Sequence, residues 1–291
     1  MIFKHLIYWL MLTLPFLAKV AGENFFSNLL ASILNFLDKP RYQITKDNLQ
    51  KAFAEKDLSW IGKTADECYK NLAIVFTEIL LLSKLSKEEF QKKIKFENID
   101  LMIDAHKKGK GLLVLSAHLG NWEYLALAGG LESGIEINII VKEQKNLFIT
   151  HHMKMIRERW GNKTIFMQKS ARQMVSIIKS GGVVAMLADQ SPDPKKNISV
   201  NFFGRQTPCY EAPASIALRL GCELIYGFTK RDEIGNYIVH FEKIETSDIP
   251  SGREGIKILT QRHTKMLEDE IRKEPSLWVW QHKRWKHTPT P

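Results

Sequence analysis

Gly111-Leu112-Leu113-Val114-Leu115-Ser116-Ala117-His118-Leu119-Gly120-Asn121-Trp122-Glu123 is the stretch on which the fold turns. Leu112 to Leu115 is a short, continuous apolar run. Such a run reads as a buried strand, most often in a parallel sheet covered on both faces. A small-residue turn ends it. A helix follows from Trp122 to Ala128, with Gly129-Gly130 as its stop signal. His118 then sits at the carboxyl end of a strand, where open α/β sheets place their ligands. Glu123 falls in the first turn of the next helix.

The spacing has chemical content. On one continuous helix a separation of five residues is a rotation of about 140 degrees, which would point His118 and Glu123 apart. With His118 in the loop before the helix, the chain can double back and bring imidazole to carboxylate. A carboxylate on one ring nitrogen fixes the tautomer and leaves the other nitrogen as a base toward a hydroxyl. The bland alternative is a structural histidine followed by a glutamate that suits the helix dipole.

Outward from this stretch the same pattern recurs. Ile135–Val141 reads as a second strand, and Leu147–Trp160 as a helix that stops at Gly161 and carries Arg157 and Arg159. A helix from Ser170 ends at Gly181-Gly182. The strand Val183–Ala188 follows and closes in Asp189-Gln190 ahead of a proline-rich loop. Val200-Asn201-Phe202-Phe203-Gly204-Arg205 leads into a small-residue helix at Ala212–Leu220. Cys222–Thr229 and Tyr237–Ile244 read as a hairpin, and Glu254–Lys273 as a long amphipathic helix. Before the central stretch, residues 39–108 read as helical. Ala65–Leu82 is a strong amphipathic segment there, with Thr64 as its candidate cap. The basic turn Lys107-Lys108-Gly109-Lys110 is either solvated surface or a contact for lipid phosphates.

Composition sets the bounds. The chain has 291 residues, is 44% hydrophobic and carries a formal net charge of +10. That length and apolar share allow one full-cored domain plus an appendage. The positive balance favours an anionic partner: nucleic acid, an anionic membrane surface or an acidic protein. Cys68, Cys209 and Cys222 have neither metal spacing nor an even disulfide framework and read as packing residues. Residues 1–38 differ from the rest. Leu6–Ala18 and the patch from Phe25 to Leu37 are apolar, with Lys19 between them. This reads as an N-terminal membrane anchor lying in or partly crossing the bilayer, the alternative being a helical hairpin folded onto the protein. Near the other end, Trp278, Trp280 and Trp285 alternate with cations, a pattern suited to a membrane interface or to stacking on single-stranded nucleic acid. No P-loop, Gly-x-Gly-x-x-Gly or Gly-x-Ser-x-Gly nucleophile elbow is present.

The string Ala117-His118-Leu119-Gly120-Asn121-Trp122-Glu123 after an apolar strand resembles the late acyltransferases of lipid A biosynthesis, within the lysophospholipid acyltransferase-like superfamily. Four further blocks, in the family's order, carry the resemblance: Asn48-Leu49 with Ala52-Phe53, the Arg157 helix, Asp189-Gln190 with Phe202-Phe203-Gly204-Arg205, and Pro275–Lys286. The chain departs from the pattern at Lys142-Glu143, where the family often has Arg-Pro.

The resemblance implies an α/β fold of glycerolipid-acyltransferase type, a mixed central sheet flanked by helices over residues 39–291, behind an anchor at 1–38. It implies an O-acyltransferase that moves a fatty acyl chain from an acyl-carrier-protein thioester to a hydroxyl of a lipid A precursor of the Kdo-lipid IVA type. It needs no metal and no cofactor, and works at the cytoplasmic face of a bacterial inner membrane with no nucleic-acid partner. By the same resemblance His118, Glu123 and Arg157 are catalytic. Asn121, Arg159, Asp189, Gln190, Phe202, Phe203 and Arg205 contact substrate. Three other readings stay open: an acyltransferase for another glycolipid or phospholipid, a thioester hydrolase, and a non-catalytic basic membrane- or nucleic-acid-binding protein.

Overall fold

A computed structural model describes residues 13–288. A first helix, α1, covers residues 13–21. Helices α2 (Glu23–Leu37), α3 (Lys39–Ala52), α4 (Leu58–Leu82) and α5 (Lys87–Lys92) follow, then strand β1 (Ile94–Phe96) and α6 (Ile99–Lys107). Next come β2 (Leu112–Ser116), α7 (Trp122–Ser133), β3 (Ile137–Val141), α8 (Leu147–Glu158), β4 (Lys163–Phe166), α9 (Ser170–Lys179) and β5 (Val183–Leu187). The chain continues through the pair β6 (Ile198–Phe202) and β7 (Arg205–Cys209), α10 (Ala212–Leu220), β8 (Glu223–Arg231), β9 (Tyr237–Lys243) and α11 (Gly252–Lys273).

Seven strands form one mixed sheet in the order β1-β9-β8-β2-β5-β3-β4, and β6 pairs with β7 in a separate two-stranded sheet. All the neighbours in the large sheet run parallel except β8 and β9. β2 lies at its centre, between β5 and β8. Its residues alternate between two apolar layers. Leu113 and Leu115 belong to a core that includes residues of α3, α9, α10 and α11. Leu112 and Val114 belong to a core that includes residues of α6, α7 and α8. A strand covered on both faces needs apolar side chains at every position, which is why β2 has no hydrophobic–polar alternation.

Three sequence expectations change in detail. The helix after His118 runs through Gly129-Gly130 and ends at Gly134, in the left-handed region. The two glycines serve close approach instead of termination. A Cβ at Gly130 would lie 2.1 Å from Asn162 Oδ1, and one at Gly129 would lie 3.2 Å from Ile137 Cδ1. The long helix α4 starts at Leu58, capped by the Asp57 side chain accepting from Trp60 N, so Thr64 is buried inside it. The region 39–108 also contains β1, too short to show a periodicity.

No helix among the described residues is long and apolar enough to cross a membrane. The opening of the expected anchor, residues 1–12, lies outside the described residues. The rest of it forms α1 and α2, and α2 runs beside α4. Both helices leave large apolar side chains exposed, among them Phe16, Val20, Phe25, Phe36 and Leu37. The basic turn at Lys107–Lys110 precedes β2, at the end of the sheet opposite His118, and Lys108 there pairs with Glu223 at 3.0 Å.

Candidate active site

Parallel pairing builds the centre of the site. β2 and β5 are in register with Ser116 opposite Leu187, so the residues two past each partner, His118 and Asp189, emerge side by side. The Asp189 carboxylate accepts from the His118 ring at Nδ1 (2.8 Å) and from the His118 backbone N–H (3.0 Å). Its Oδ2 also accepts from the indole Nε1–H of Trp278 (2.9 Å). Asp189 is buried. Burial pushes its carboxyl pKa up, but the His118 charge and these hydrogen bonds outweigh burial and hold it down at about 2. For His118, burial pushes the imidazole down. The Asp189 charge and hydrogen bond, with the Glu123 charge, outweigh it and leave the pKa above the usual histidine value.

The carboxylate on the imidazole is therefore Asp189 and not Glu123, contrary to the expectation from the five-residue spacing. Glu123 is taken by Arg157. The guanidinium donates from Nε to Oε2 (2.8 Å) and from Nη2 to Oε1 (2.5 Å), a fork that fits a carboxylate in one orientation. Because α7 starts four residues after His118, its first turn aims Glu123 across the cavity at α8. The two pairs share the field of one site without a hydrogen bond between them among the described contacts.

The loop carrying His118 is held from several sides. Gly120 has φ +58°, and a Cβ there would lie 2.4 Å from Thr229 Oγ1, so the loop passes β8 only with a glycine at this position. Thr229 Oγ1 donates to the Leu119 carbonyl. Asn121 caps α7 by accepting from Tyr124 N (3.0 Å) and donates to Glu78 Oε2 (2.8 Å). Glu78 is buried, and it also accepts from the Tyr237 hydroxyl (2.6 Å) with Arg231 3.7 Å away. The Trp122 ring meets the His118 ring edge-on at 5.0 Å.

His118, Glu123, Arg157 and Gln190 open onto one cavity of about 310 Å³. The Gln190 amide nitrogen lies 3.4 Å from His118 Nε2. Lys142, Gln144 and Tyr210 line it as well. Apart from Ser116 the remainder is apolar, with Val114, Leu125, Ile139 and Ala185 along its length and Met102, Gly129 and Ile137 at the far end. Since Ile137 and Val141 are the two ends of β3, strand geometry gives the apolar part a length of about 13 Å. The cavity thus joins the His118 imidazole to an apolar recess.

Other expected contacts lie elsewhere. Asn121 is fully buried and acts on the helix start and on Glu78. Arg159 donates to the Leu82 carbonyl and stacks over the Trp160 ring at 4.5 Å, away from the cavity. Phe202 and Phe203 are buried in an aromatic cluster with Phe53, Trp278, Trp280 and Trp285 instead of lining the cavity. Phe203 and Gly204 have positive φ values and make the tight turn between β6 and β7, which points both rings into the core. Arg205 donates to the Lys51 carbonyl (3.3 Å) at the surface. The terminal tryptophans are buried and form neither a membrane-interface belt nor a stacking platform. Sequence reasoning missed Tyr210 and the role of Trp278, which lies 89 residues from its partner Asp189 and leaves no local signal.

His240, Glu242 and Glu270 are the His, Asp, Glu or Cys side chains among the described residues whose donor atoms converge closely enough to hold a metal ion. They face a separate cleft beside β9 and α11.

Comparison with known proteins gives the family. The chain belongs to the bacterial lipid A biosynthesis acyltransferases, whose family model matches residues 2–287. No curated protein matches it.

Proposed function

We propose, from that membership, that the protein moves a fatty acyl chain from an acyl-carrier-protein thioester to a hydroxyl of a lipid A precursor of the Kdo-lipid IVA type. The observation that carries the proposal is the His118–Asp189 pair at the mouth of an apolar cavity about 13 Å deep. The acyl chain lies in the cavity with its thioester carbonyl at His118. Nε2 of His118 takes the proton of the acceptor hydroxyl as its oxygen attacks the carbonyl carbon. Asp189, on Nδ1, fixes the tautomer and stabilises the imidazolium. The C=O π pair moves onto oxygen, and Arg157, held rigid by Glu123, stabilises the oxyanion with the Gln190 amide. When the intermediate collapses, the C–S bond breaks and the carrier thiolate takes the proton from the imidazolium. The thiol and the ester are the products, so the balance needs no cofactor.

Partners follow from charge and surface. The net charge of +10 favours an acidic carrier protein. The exposed apolar side chains of α1 and α2 support a position against a bilayer, which we assign to the cytoplasmic face of the inner membrane.

The test is an acyl-transfer assay on detergent-solubilised protein. It offers acyl-carrier-protein thioesters of several chain lengths and a tetraacylated lipid A precursor. A gain of one acyl chain in mass, abolished by His118→Ala, is expected. Full transfer by His118→Ala overturns the mechanism. Release of free fatty acid alone assigns the site to a hydrolase.

A further inference from the structure

We infer that Trp278 is a positioning residue for the proposed base, acting through Asp189; this rests on the reading of His118 given above. After α11 the chain turns back as a strap, residues 275–285, that crosses the His118 loop. Gly120 N donates to the Leu277 carbonyl (3.1 Å) and Val279 N donates to the His118 carbonyl (3.0 Å). Leu119 and Trp278 form an antiparallel bridge between these two bonds. The strap therefore holds the backbone of His118 on one side while the Trp278 indole reaches Asp189 on the other.

The chemistry of the indole fits that task. Asp189 has two oxygens and three donors: the His118 ring on Oδ1, and the His118 N–H and the Trp278 Nε1–H on Oδ2. With Oδ2 held at two points, the carboxylate cannot rotate, and Oδ1 stays on the imidazole. An indole N–H only donates and carries no lone pair for the proton, so it favours the ionised carboxylate and cannot compete with His118 as a base. Trp278 is buried and is absent from the cavity lining, so it has no contact with an acyl chain.

The strap is anchored independently of this bond. Asn48 Nδ2 donates to the carbonyls of Trp280 and His282 (2.8 Å each), and Trp285 Nε1 donates to Thr207 Oγ1 (3.0 Å). Loss of the Trp278 N–H leaves those anchors in place. Trp280 is the natural control. It meets Trp278 edge-on at 4.6 Å in the same cluster, but its own N–H goes to the Pro275 carbonyl.

The experiment compares Trp278→Phe, Trp278→His, Trp280→Phe and Asp189→Asn in the full-length enzyme. Each is characterised by kcat, by KM for the thioester, and by the proton NMR signal of the His118 Nδ1–H, assigned by its loss in His118→Ala. In Trp278→His the imidazole Nε2 occupies the ring position of the indole Nε1, so a donor is restored on a smaller side chain. We expect Trp278→Phe to lose about tenfold in kcat with KM unchanged, and to lose the low-field ring proton. Trp278→His regains most of both, and Trp280→Phe keeps both even where its melting temperature falls. Equal kcat losses in Trp278→Phe and Trp280→Phe, or an unchanged ring-proton signal in Trp278→Phe, overturn the inference. Retained activity in Asp189→Asn instead overturns the reading of the base on which it rests, a separate outcome.

Discussion

Two carboxylate–nitrogen pairs meet at one cavity, lined by Glu123, Arg157 and His118 with Asp189 buried behind the imidazole, and their geometry differs. In Glu123–Arg157 carboxylate and guanidinium lock into a bidentate fork. In Asp189–His118 the carboxylate holds only one side of a ring whose Nε2 points into the cavity. The first pair is a closed fork, and the second leaves one ring nitrogen free of its carboxylate. Acyl transfer needs one of each: a group that takes and returns a proton, and a dipole that waits for an oxyanion without reorganising. The spacing rule pairs the wrong partners, because nearness in the chain puts Glu123 five residues from His118 while the sheet register puts Asp189 beside it.

The comparison breaks most sharply at the Asp189–His118 pair. Asp189→Asn is expected to lower kcat by roughly ten-thousandfold, as the Asp-to-Asn change of the orienting carboxylate does in a serine-protease triad. Its pH profile supplies the sign. His118 must be neutral to act as base, and Asp189 holds its pKa above the ordinary value of about 6.5. Wild-type kcat/KM therefore rises with pH through a midpoint above that value, and Asp189→Asn moves the midpoint down. A midpoint that stays put would detach Asp189 from the base.

The closed fork should give smaller losses that do not add. Glu123→Gln and Arg157→Met are each expected to reduce kcat by about a hundredfold. The double variant should be little worse than either, with a coupling of about 2 kcal/mol. Additive losses would separate Glu123 from Arg157 and return it to His118.

A third change leaves both pairs intact. Gly129→Ala places a Cβ 3.2 Å from Ile137 Cδ1 at the far end of the cavity. It should shift the preference between acyl donors toward shorter chains by about tenfold, since a methylene in an apolar pocket is worth ~1–3 kcal/mol. Competition between thioesters of different length measures it, and an unchanged preference would move the acyl chain out of this cavity. The smallest effects belong to residues outside the site. Arg159→Ala and Arg205→Ala should leave kcat/KM within about twofold, since neither side chain lines the cavity. A large loss in either would reveal a substrate surface beyond the cavity.

Much of the fold is legible in the chain because it rests on local physics. The apolar runs at Leu112–Leu115 and Val183–Leu187 read as strands of a covered sheet, and each ends in polar residues at the carboxyl end of the sheet. That places His118, Asp189 and Gln190 on one edge before any coordinates are known. The helix stop at Gly129-Gly130 misleads because a glycine says only that a Cβ has no room, and here the obstruction is tertiary: Ile137 and Asn162 against the flank of the helix. The Phe202-Phe203 pair and the terminal tryptophans mislead for a related reason. Aromatic and cationic residues in alternation suit a membrane interface and a buried cluster equally well, and only packing chooses between them.

The sequence by itself determined the α/β class, the strand ends that carry the chemistry, the family and four of the polar groups at the cavity mouth: His118, Glu123, Arg157 and Gln190. The tertiary structure decided the pairing among the charges. Hydrogen bonds form across space, and the register of β2 on β5, the direction of α7 and the return of the chain at Trp278 set which carboxylate reaches which cation. None of those three distances is written in local periodicity, because each depends on how separate segments settle against a common core.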